Sequence, residues 1–355
     1  MGNLVLYRKY RPKQFSEVVN QEHVVKTITN ALTMGKVAHA YLFTGPRGTG
    51  KTTIARLLAK AINCQKPKKH EPCNECESCL EISQDQALDL IEIDSASNRG
   101  IDEIRELREG IKFGPSRLKY KVFIIDEVHQ LTKEAFNALL KTLEEPPAHA
   151  IFILATTEIH KVPQTIISRC QRFDFHRLTL EKIVGRLQWV ADQEGIKIDK
   201  KALELIALNA DGCVRDAESL LGQVVAMEDK EITFEEVQNI LGVTDLKSVS
   251  DFVSCLGKKD ISSAITQVNQ LTSDGYDLAQ FAKSVINYLR KMMILKIDGQ
   301  LSSIIGVELT KEQLDDIIEQ GNDFSEKDLT EIIRLFINAE NEIKFASLPQ
   351  LPLEL

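Results

Sequence analysis

The chain has 355 residues, 43% of them hydrophobic, which is enough apolar material to bury cores in two or three domains of ordinary size. Charged residues make up 27%, yet the formal net charge is −8, so the chain lacks the basic balance of a nucleic-acid wrapper and any DNA contact has to come from a local patch. No apolar run approaches the roughly 20 residues of a membrane helix, and the N-terminus carries no secretory pattern, so the expectation is a cytoplasmic protein without membrane contact.

Up to about residue 177, short apolar runs alternate with helical patterns. The runs are Tyr41–Thr44, Leu88–Ile93, Val122–Ile125, Ile151–Ala155 and Arg172–Phe175. Most are apolar throughout, as strands of a parallel sheet covered on both faces should be. Between them, Ile54, Leu57, Leu58 and Ile62 share one helix face, and Phe136, Leu139, Leu140 and Leu143 share another. The second of these helices starts after Thr132, an N-cap, and stops at Pro146-Pro147. This alternation predicts a doubly wound α/β domain over residues 1–178.

After about residue 178 the strand signal disappears. Residues 179–242 read as three helices, carrying Ile183, Leu187 and Val190, then Leu203, Ile206 and Leu208, then Leu220, Leu221, Val224 and Val225; a short fourth follows the N-cap Thr233. Residues 243–355 read as an all-helical third domain with breaks near Gly257, Gly275, Gly299, Gly306 and Gly321. Residues 349–353 read as the start of a linker.

Gly45-Pro46-Arg47-Gly48-Thr49-Gly50-Lys51-Thr52 fits G-x-x-x-x-G-K-T and lies between the first strand and the helix through Ile62, where a phosphate-binding loop must lie. Its glycines let backbone N–H groups converge on a β-phosphate, and the helix N-terminus adds partial positive charge. Lys51 reaches the β- and γ-phosphates, and Thr52 ligates Mg²⁺. Asp126-Glu127 ends the apolar strand Val122–Ile125, the pattern of a Walker B pair: Asp126 holds Mg²⁺ and Glu127 serves as general base for the attacking water. Thr156-Thr157 ends the next strand, where a hydroxyl could orient that water. Arg169 in Ser168-Arg169-Cys170 and Arg215 in Val214-Arg215-Asp216 are candidate cations for transition-state charge.

Cys64, Cys73, Cys76 and Cys79 fit C-x8-C-x2-C-x2-C in a polar stretch between the P-loop helix and the second strand. In a cytosolic chain such spacing points to a metal and not to disulfides. Four thiolates suit a closed tetrahedral Zn²⁺ site; an iron–sulfur cluster is the alternative. Cys170, Cys213 and Cys255 are isolated and read as small buried apolar residues. Ser97-Asn98-Arg99-Gly100 opens a helix with Arg105 and Arg108 off its apolar face, a candidate phosphate contact for DNA.

These motifs and their order resemble the AAA+ superfamily and, more narrowly, the γ/τ family of bacterial DNA polymerase III clamp loader subunits. The resemblance spans essentially the whole chain. It is carried by Tyr7-Arg8-Lys9-Tyr10-Arg11-Pro12, Val18-Val19-Asn20-Gln21-Glu22-His23, the P-loop, the four cysteines, Ile93–Ser97, Asp126-Glu127-Val128-His129, Leu139–Pro147 and Ser168-Arg169-Cys170. The cysteine insertion is the most discriminating feature, since eukaryotic and archaeal clamp loaders lack it.

The resemblance implies an AAA+ core with a zinc module, a three-helix lid and a helical collar that holds subunits in a ring. It implies that Tyr7, Arg11, Val18 and Val19 flank adenine and that Thr53 joins the P-loop residues in holding ATP. Thr157, or its neighbour Thr156, takes the sensor 1 role. Arg169 is the finger that reaches a neighbour's ATP, and Arg215 is sensor 2, acting in cis. The implied partners are δ, δ′ and further γ/τ copies, the sliding clamp and primer–template DNA. Polymerase and helicase contacts belong to a C-terminal region that this sequence does not include. The holoenzyme is a DNA-directed DNA polymerase, associated with the nucleoid during replication. The family's usual Gly is Asn20 here, in a turn that needs φ > 0, which Asn tolerates better than most residues.

Two other readings use the same motifs. One is a non-catalytic scaffold that binds ATP only to order a ring; Glu127, Thr157 and Arg169 would then be dispensable. The other is a Holliday-junction or replicative helicase motor, in which the four-cysteine insertion has no role.

Overall fold

In the computed structural model, residues 5–97, 109–227, 231–241, 246–297 and 311–355 are described. They divide into two compact units, residues 1–232 and 233–355. The first unit contains a five-stranded sheet of β1 (Ala40–Thr44), β2 (Leu90–Asp94), β3 (Lys121–Asp126), β4 (Ala150–Thr156) and β5 (Gln171–Asp174). The strand order is β2-β3-β4-β1-β5, and every pairing is parallel. Successive residues of β1 serve opposite faces: Tyr41 and Phe43 join one buried cluster, while Ala40 and Leu42 join the other. Helices α2 (Glu22–Thr33) and α3 (Lys51–Asn63) supply Val24, Ile28, Ile54 and Leu58 to the first cluster. Helix α5 (Lys133–Glu144) supplies Phe136, Leu139 and Leu143 to the second. With both faces covered, all five residues of β1 and all seven of β4 are buried. Thr132 caps α5 as its sequence predicts, its side chain accepting from Ala135 N–H.

Short elements complete this unit: α1 (Leu6–Lys9), α4 (Glu77–Ser83) and α6 (Gln164–Ile167). Beyond the sheet come α7 (Leu180–Glu194), α8 (Lys200–Asn209) and α9 (Val214–Met227), packed through Ile183, Leu187, Leu203, Ile206 and Leu221. One expectation fails here, because strands do recur after residue 178. Lys197–Ile198 (β6) and Glu231–Ile232 (β7) pair in parallel. Two-residue strands are too short to show a period of two in the sequence.

Helix α1 is tied to this three-helix bundle. Leu6 packs at Gly222 of α9, Lys9 pairs with Glu194 at 2.8 Å, and Tyr10 meets the Trp189 edge with ring centroids 5.5 Å apart. Beneath them Arg186 donates to Glu218 at 2.8 Å and to the Tyr10 carbonyl, and lies 4.7 Å from the Trp189 ring centre. Burial pushes the Glu218 carboxyl up even though Arg186 pulls it down. The pair fixes direction as much as it adds stability, because two desolvated charges tolerate little displacement.

The second unit is helical: α10 (Phe234–Ile240), α11 (Leu246–Lys258), α12 (Ile261–Ser273), α13 (Leu278–Ile297), α14 (Lys311–Gln320), α15 (Glu326–Ile343) and α16 (Leu351–Glu354). Phe252, Phe281, Val285, Leu289 and Leu329 form its core. Gly275 (φ +81°) makes a turn and Gly321 follows α14, as expected, whereas Gly299 and Gly306 lie outside the described residues. The break near Gly257 is present too: α11 ends at Lys258, and Lys259 turns at φ +57° before α12. Gly257 itself lies in the last turn of α11, where an added Cβ would stand 3.0 Å from Asp323 Cβ and 3.2 Å from the Phe324 ring, so the glycine admits a close neighbour. The expected linker at 349–353 is replaced, for α16 returns to the core through Leu353, and Glu354 accepts from Asn269 at 2.8 Å. Among the described residues no helix is long and apolar enough to cross a membrane.

Candidate functional site

The strand order places β4 between β1 and β3, so three loops meet at one end of the sheet: the one after β1, Asp126-Glu127, and Thr156-Thr157. The first turns on three glycines with positive φ. Gly45 has φ +144°, and a Cβ there would sit 2.3 Å from the Phe175 carbonyl oxygen. Gly48 has φ +70°, and a Cβ there would fall 1.9 Å from Cys213 Sγ and 3.5 Å from Arg215 Cβ. Gly50, at φ +97°, precedes the first residue of α3. Thr49 Oγ1 donates to the Pro46 carbonyl at 2.9 Å and tightens the loop, while Arg47 stays exposed.

Lys51 is 5% exposed, and its ammonium donates to the Gly45 and Pro46 carbonyls at 2.8 and 2.7 Å. Burial lowers its pKa, and the charges of Glu127 and Asp126 oppose that. Thr52 Oγ1 donates to Asp126 Oδ2 at 2.8 Å across the gap between α3 and β3. A hydroxyl and a carboxylate oxygen are hard donors suited to Mg²⁺. Glu127 leaves the strand in the left-handed region, at φ +48°, an uncommon conformation for a residue with a long side chain. Its Oε2 accepts from Thr157 N–H at 3.2 Å and Thr157 Oγ1 at 3.0 Å. Of the two candidate hydroxyls, Thr157 therefore faces Glu127, while Thr156 is fully buried and lies 3.0 Å from His129 Nδ1.

The contact between Gly48 and Cys213 brings Arg215, in the first turn of α9, beside the P-loop. Its guanidinium lies 4.9 Å from the Tyr7 ring centre. Arg11 Nε donates to Thr53 Oγ1 at 3.3 Å, and Val18 packs on the sheet core beside a half-buried Val19. Asn20 has φ +63° and donates to the Arg177 carbonyl at 3.0 Å, which is the left-handed turn expected of it. Arg169 stands apart from this group. It pairs with Glu144 at 2.7 Å, donates to the Thr165 carbonyl at 2.7 Å, and borders a surface depression with His39, Leu143 and Ser168. Residues 98–108, which include Asn98, Arg99, Arg105 and Arg108, lie outside the described residues.

The four cysteines converge. The Sγ atoms of Cys64, Cys73, Cys76 and Cys79 all lie within 4.8 Å of one another, with Cys73 and Cys79 3.9 Å apart. Tetrahedral Zn–S bonds of about 2.3 Å would set sulfurs about 3.8 Å apart. Backbone N–H groups of Glu75 and Cys76 point at Cys73 Sγ (3.5 and 3.3 Å) and hold its thiol down at about 6, while burial pushes Cys79 up. Asn74 makes this turn possible at φ +60° and donates to the Lys13 carbonyl at 3.1 Å. Glu71 accepts from Phe15 and Ser16 N–H groups at 2.8 and 2.9 Å, so the cysteine module grips the segment leading to Val18. Of the isolated cysteines, Cys213 is buried, its thiol pushed up to about 11; Cys170 and Cys255 are only partly buried, contrary to expectation.

Residues 20–179 match the family model for the DNA polymerase III delta subunit, 182–230 that for the clamp loader subunit ATPase lid domain, and 232–355 that for domain III of subunits gamma and tau. The gamma subunit of Buchnera aphidicola (Acyrthosiphon pisum) is 36% identical over 355 residues, covering 100% of this chain and 98% of its own. The chain belongs to the DNA polymerase III γ/τ family. Within the family, the tau subunit of Bacillus subtilis is 45% identical over 99% of this chain and 62% of its own length. That of Escherichia coli K12 is 40% identical over 88% and 49%. The chain thus spans about half to three-fifths of these longer relatives. The Thermotoga maritima RuvB branch migration motor superposes at TM-score 0.49 with 19% identity over 75% of this chain and 86% of its own, a likeness too slight to bear on function.

Within this γ/τ family member, residue reading alone misses His129, which follows the carboxylate pair and folds back to β4, and Glu71 and Asn74, which fasten the cysteine module. The signal for His129 is its position three residues after Asp126, within one short turn of the strand end. Glu71 and Asn74 carry no comparable signal. The Gly48 contact has a measurable consequence. Gly48→Ala should cost about 1–2 kcal/mol for the left-handed backbone alone, with further loss from the Cys213 clash. A denaturation midpoint unchanged from wild type would contradict the closeness of that contact.

Proposed function

We propose that this chain binds and hydrolyses ATP as a subunit of the bacterial DNA polymerase III clamp loader, which opens the sliding clamp and loads it onto primer–template DNA. The observation that carries the reading is the meeting of Lys51, Thr52, Asp126 and Glu127 at one sheet end, with Thr52 and Asp126 2.8 Å apart, in a γ/τ family chain. Gly45, Pro46, Arg47, Gly48, Thr49, Gly50, Thr52 and Thr53 bind the phosphates, with Tyr7, Arg11, Val18 and Val19 at the base. Lys51 neutralises β- and γ-phosphate charge. Mg²⁺, held by Thr52 and Asp126, supplies charge neutralisation for phosphoryl transfer. Glu127 takes the proton of the attacking water, Thr157 orients it, Arg215 completes the site in cis and Arg169 acts on a neighbouring subunit's nucleotide.

The three-part division at 1–178, 179–242 and 243–355 then separates core, lid and collar. Ring neighbours are δ, δ′ and further γ/τ copies, in the cytoplasm and at the nucleoid. Arg99 and Arg105 are candidate phosphate contacts for DNA. Purified chain with δ, δ′, clamp and primed DNA tests this reading. ATP hydrolysis stimulated jointly by clamp and primed DNA supports it; nucleotide binding with no stimulation would leave the scaffold reading in its place.

Cys64, Cys73, Cys76 and Cys79 hold one Zn²⁺ per chain in this reading. Four sulfurs so close leave no room for several thiolates without a cation between them. Elemental analysis of protein purified without chelator should give one zinc per chain. Iron, or no metal, would overturn the assignment.

A further inference from the structure

Glu127 is held by contacts that all fall on one oxygen. Thr157 N–H and Thr157 Oγ1 donate to Oε2, and His129 Nδ1 stands 3.3 Å from the same atom. No described contact falls on Oε1. His129 is itself fixed on every side. Its side chain is 3% exposed, Nδ1 lies 3.0 Å from Thr156 Oγ1, and Nε2 lies 2.9 Å from Gln130 Nε2 and 3.3 Å from Glu158 Oε1. Glu158 is anchored in turn: Lys161 pairs with it at 2.8 Å, and its N–H donates to Thr156 Oγ1 at 3.0 Å.

We propose that His129 is a positioning residue for the general base: its Nδ1 edge, hydrogen-bonded to Thr156 Oγ1, stands against Glu127 Oε2 and limits where that carboxylate oxygen can sit, so that the other is presented to the attacking water. This rests on the reading of Glu127 as base. Two features argue for bracing over mere packing. First, Glu127 sits at φ +48°, a sparsely populated conformation for a long side chain that persists only where surrounding contacts hold it. Second, an imidazole buried at 3% needs polar partners at both nitrogens, and here one edge faces Thr156 and Glu127 while the other faces Gln130 and Glu158. The ring thereby links β4's end to Glu127 with no flexible side chain between. Misplacing a reacting group by about 1 Å can cost on the order of 100-fold in rate.

The two edges can be tested apart. An Asn amide nitrogen is bonded to Cγ, as His Nδ1 is; a Gln amide nitrogen reaches about as far as His Nε2. In full-length chain assembled with δ, δ′, clamp and primed DNA, His129→Asn should keep kcat within about 3-fold of wild type. His129→Gln should lower kcat on the order of 100-fold. KM and nucleotide affinity should stay unchanged in both, and both should retain the wild-type melting midpoint within a few degrees. Equal kcat in the two variants, whether both high or both low, would overturn the proposal, as would a loss carried in nucleotide affinity. Glu127→Gln run beside them separates the two failures. If wild type hydrolyses ATP no faster than Glu127→Gln, the base assignment itself is wrong and the positioning role falls with it.

Discussion

Lys51→Ala should abolish nucleotide binding, whereas Glu127→Gln should keep binding and lose hydrolysis by 10²- to 10⁴-fold, roughly the worth of a general base. The two residues are neighbours at one sheet end but do different work. The Lys51 ammonium is buried against the P-loop carbonyls of Gly45 and Pro46, where removing it takes a cation from among those oxygens. Phosphate oxygens placed there would face carbonyl dipoles and the carboxylates of Asp126 and Glu127 unscreened. Glu127→Gln keeps the shape and both Thr157 contacts but cannot accept a proton, so affinity stays while turnover goes. Equilibrium binding of a fluorescent ATP analogue and steady-state hydrolysis check both. Equal affinity in wild type and Lys51→Ala would remove the P-loop from the account.

Arg169→Ala should spare ATP binding by the isolated chain and lower stimulated hydrolysis in the assembly by about 10³-fold or more, the usual worth of an arginine finger. Placement is the reason. Arg215 stands beside Gly48 and the Tyr7 ring of its own chain. Arg169 bonds Glu144 and the Thr165 carbonyl and has no described contact with the P-loop or with Glu127. A cation that served its own nucleotide would be expected near Lys51. One held at the surface by Glu144 is available to a neighbour, and its effect then depends on assembly. Surface ion pairs are worth only about 0–1 kcal/mol, so Glu144 orients the guanidinium without trapping it.

The parts legible in the sequence are those that local chemistry dictates. G-x-x-x-x-G-K-T between an apolar run and a helical pattern leaves one strand–loop–helix geometry, and an apolar run ending in two carboxylates fixes where β3 stops. The cysteine spacing suffices for convergence because C-x2-C turns are short. What stays hidden depends on which segments meet. Glu144 and Arg169 are 25 residues apart and join only because α5 and α6 pack. His129 reaches Thr156 only because β4 lies beside β3 in the sheet order. Gly257 announces the end of α11, which stops at Lys258, but not the Phe324 ring packed against it from a distant segment. The turn at 351–354, with Pro352 at its start, looks like a linker because the leucine that anchors it, Leu353, is read without its partners.

The most direct test of ring-gated hydrolysis is a mixing experiment. Arg169→Ala chains, which keep an intact base, are combined with Glu127→Gln chains, which keep an intact finger, in assemblies with δ, δ′, clamp and primed DNA. The account predicts that mixtures regain hydrolysis above the summed activities of the two mutants, at interfaces where an intact finger meets an intact base. Activity that merely tracked that sum at every mixing ratio would show that Arg169 serves its own site, and would contradict hydrolysis gated by the neighbouring subunit.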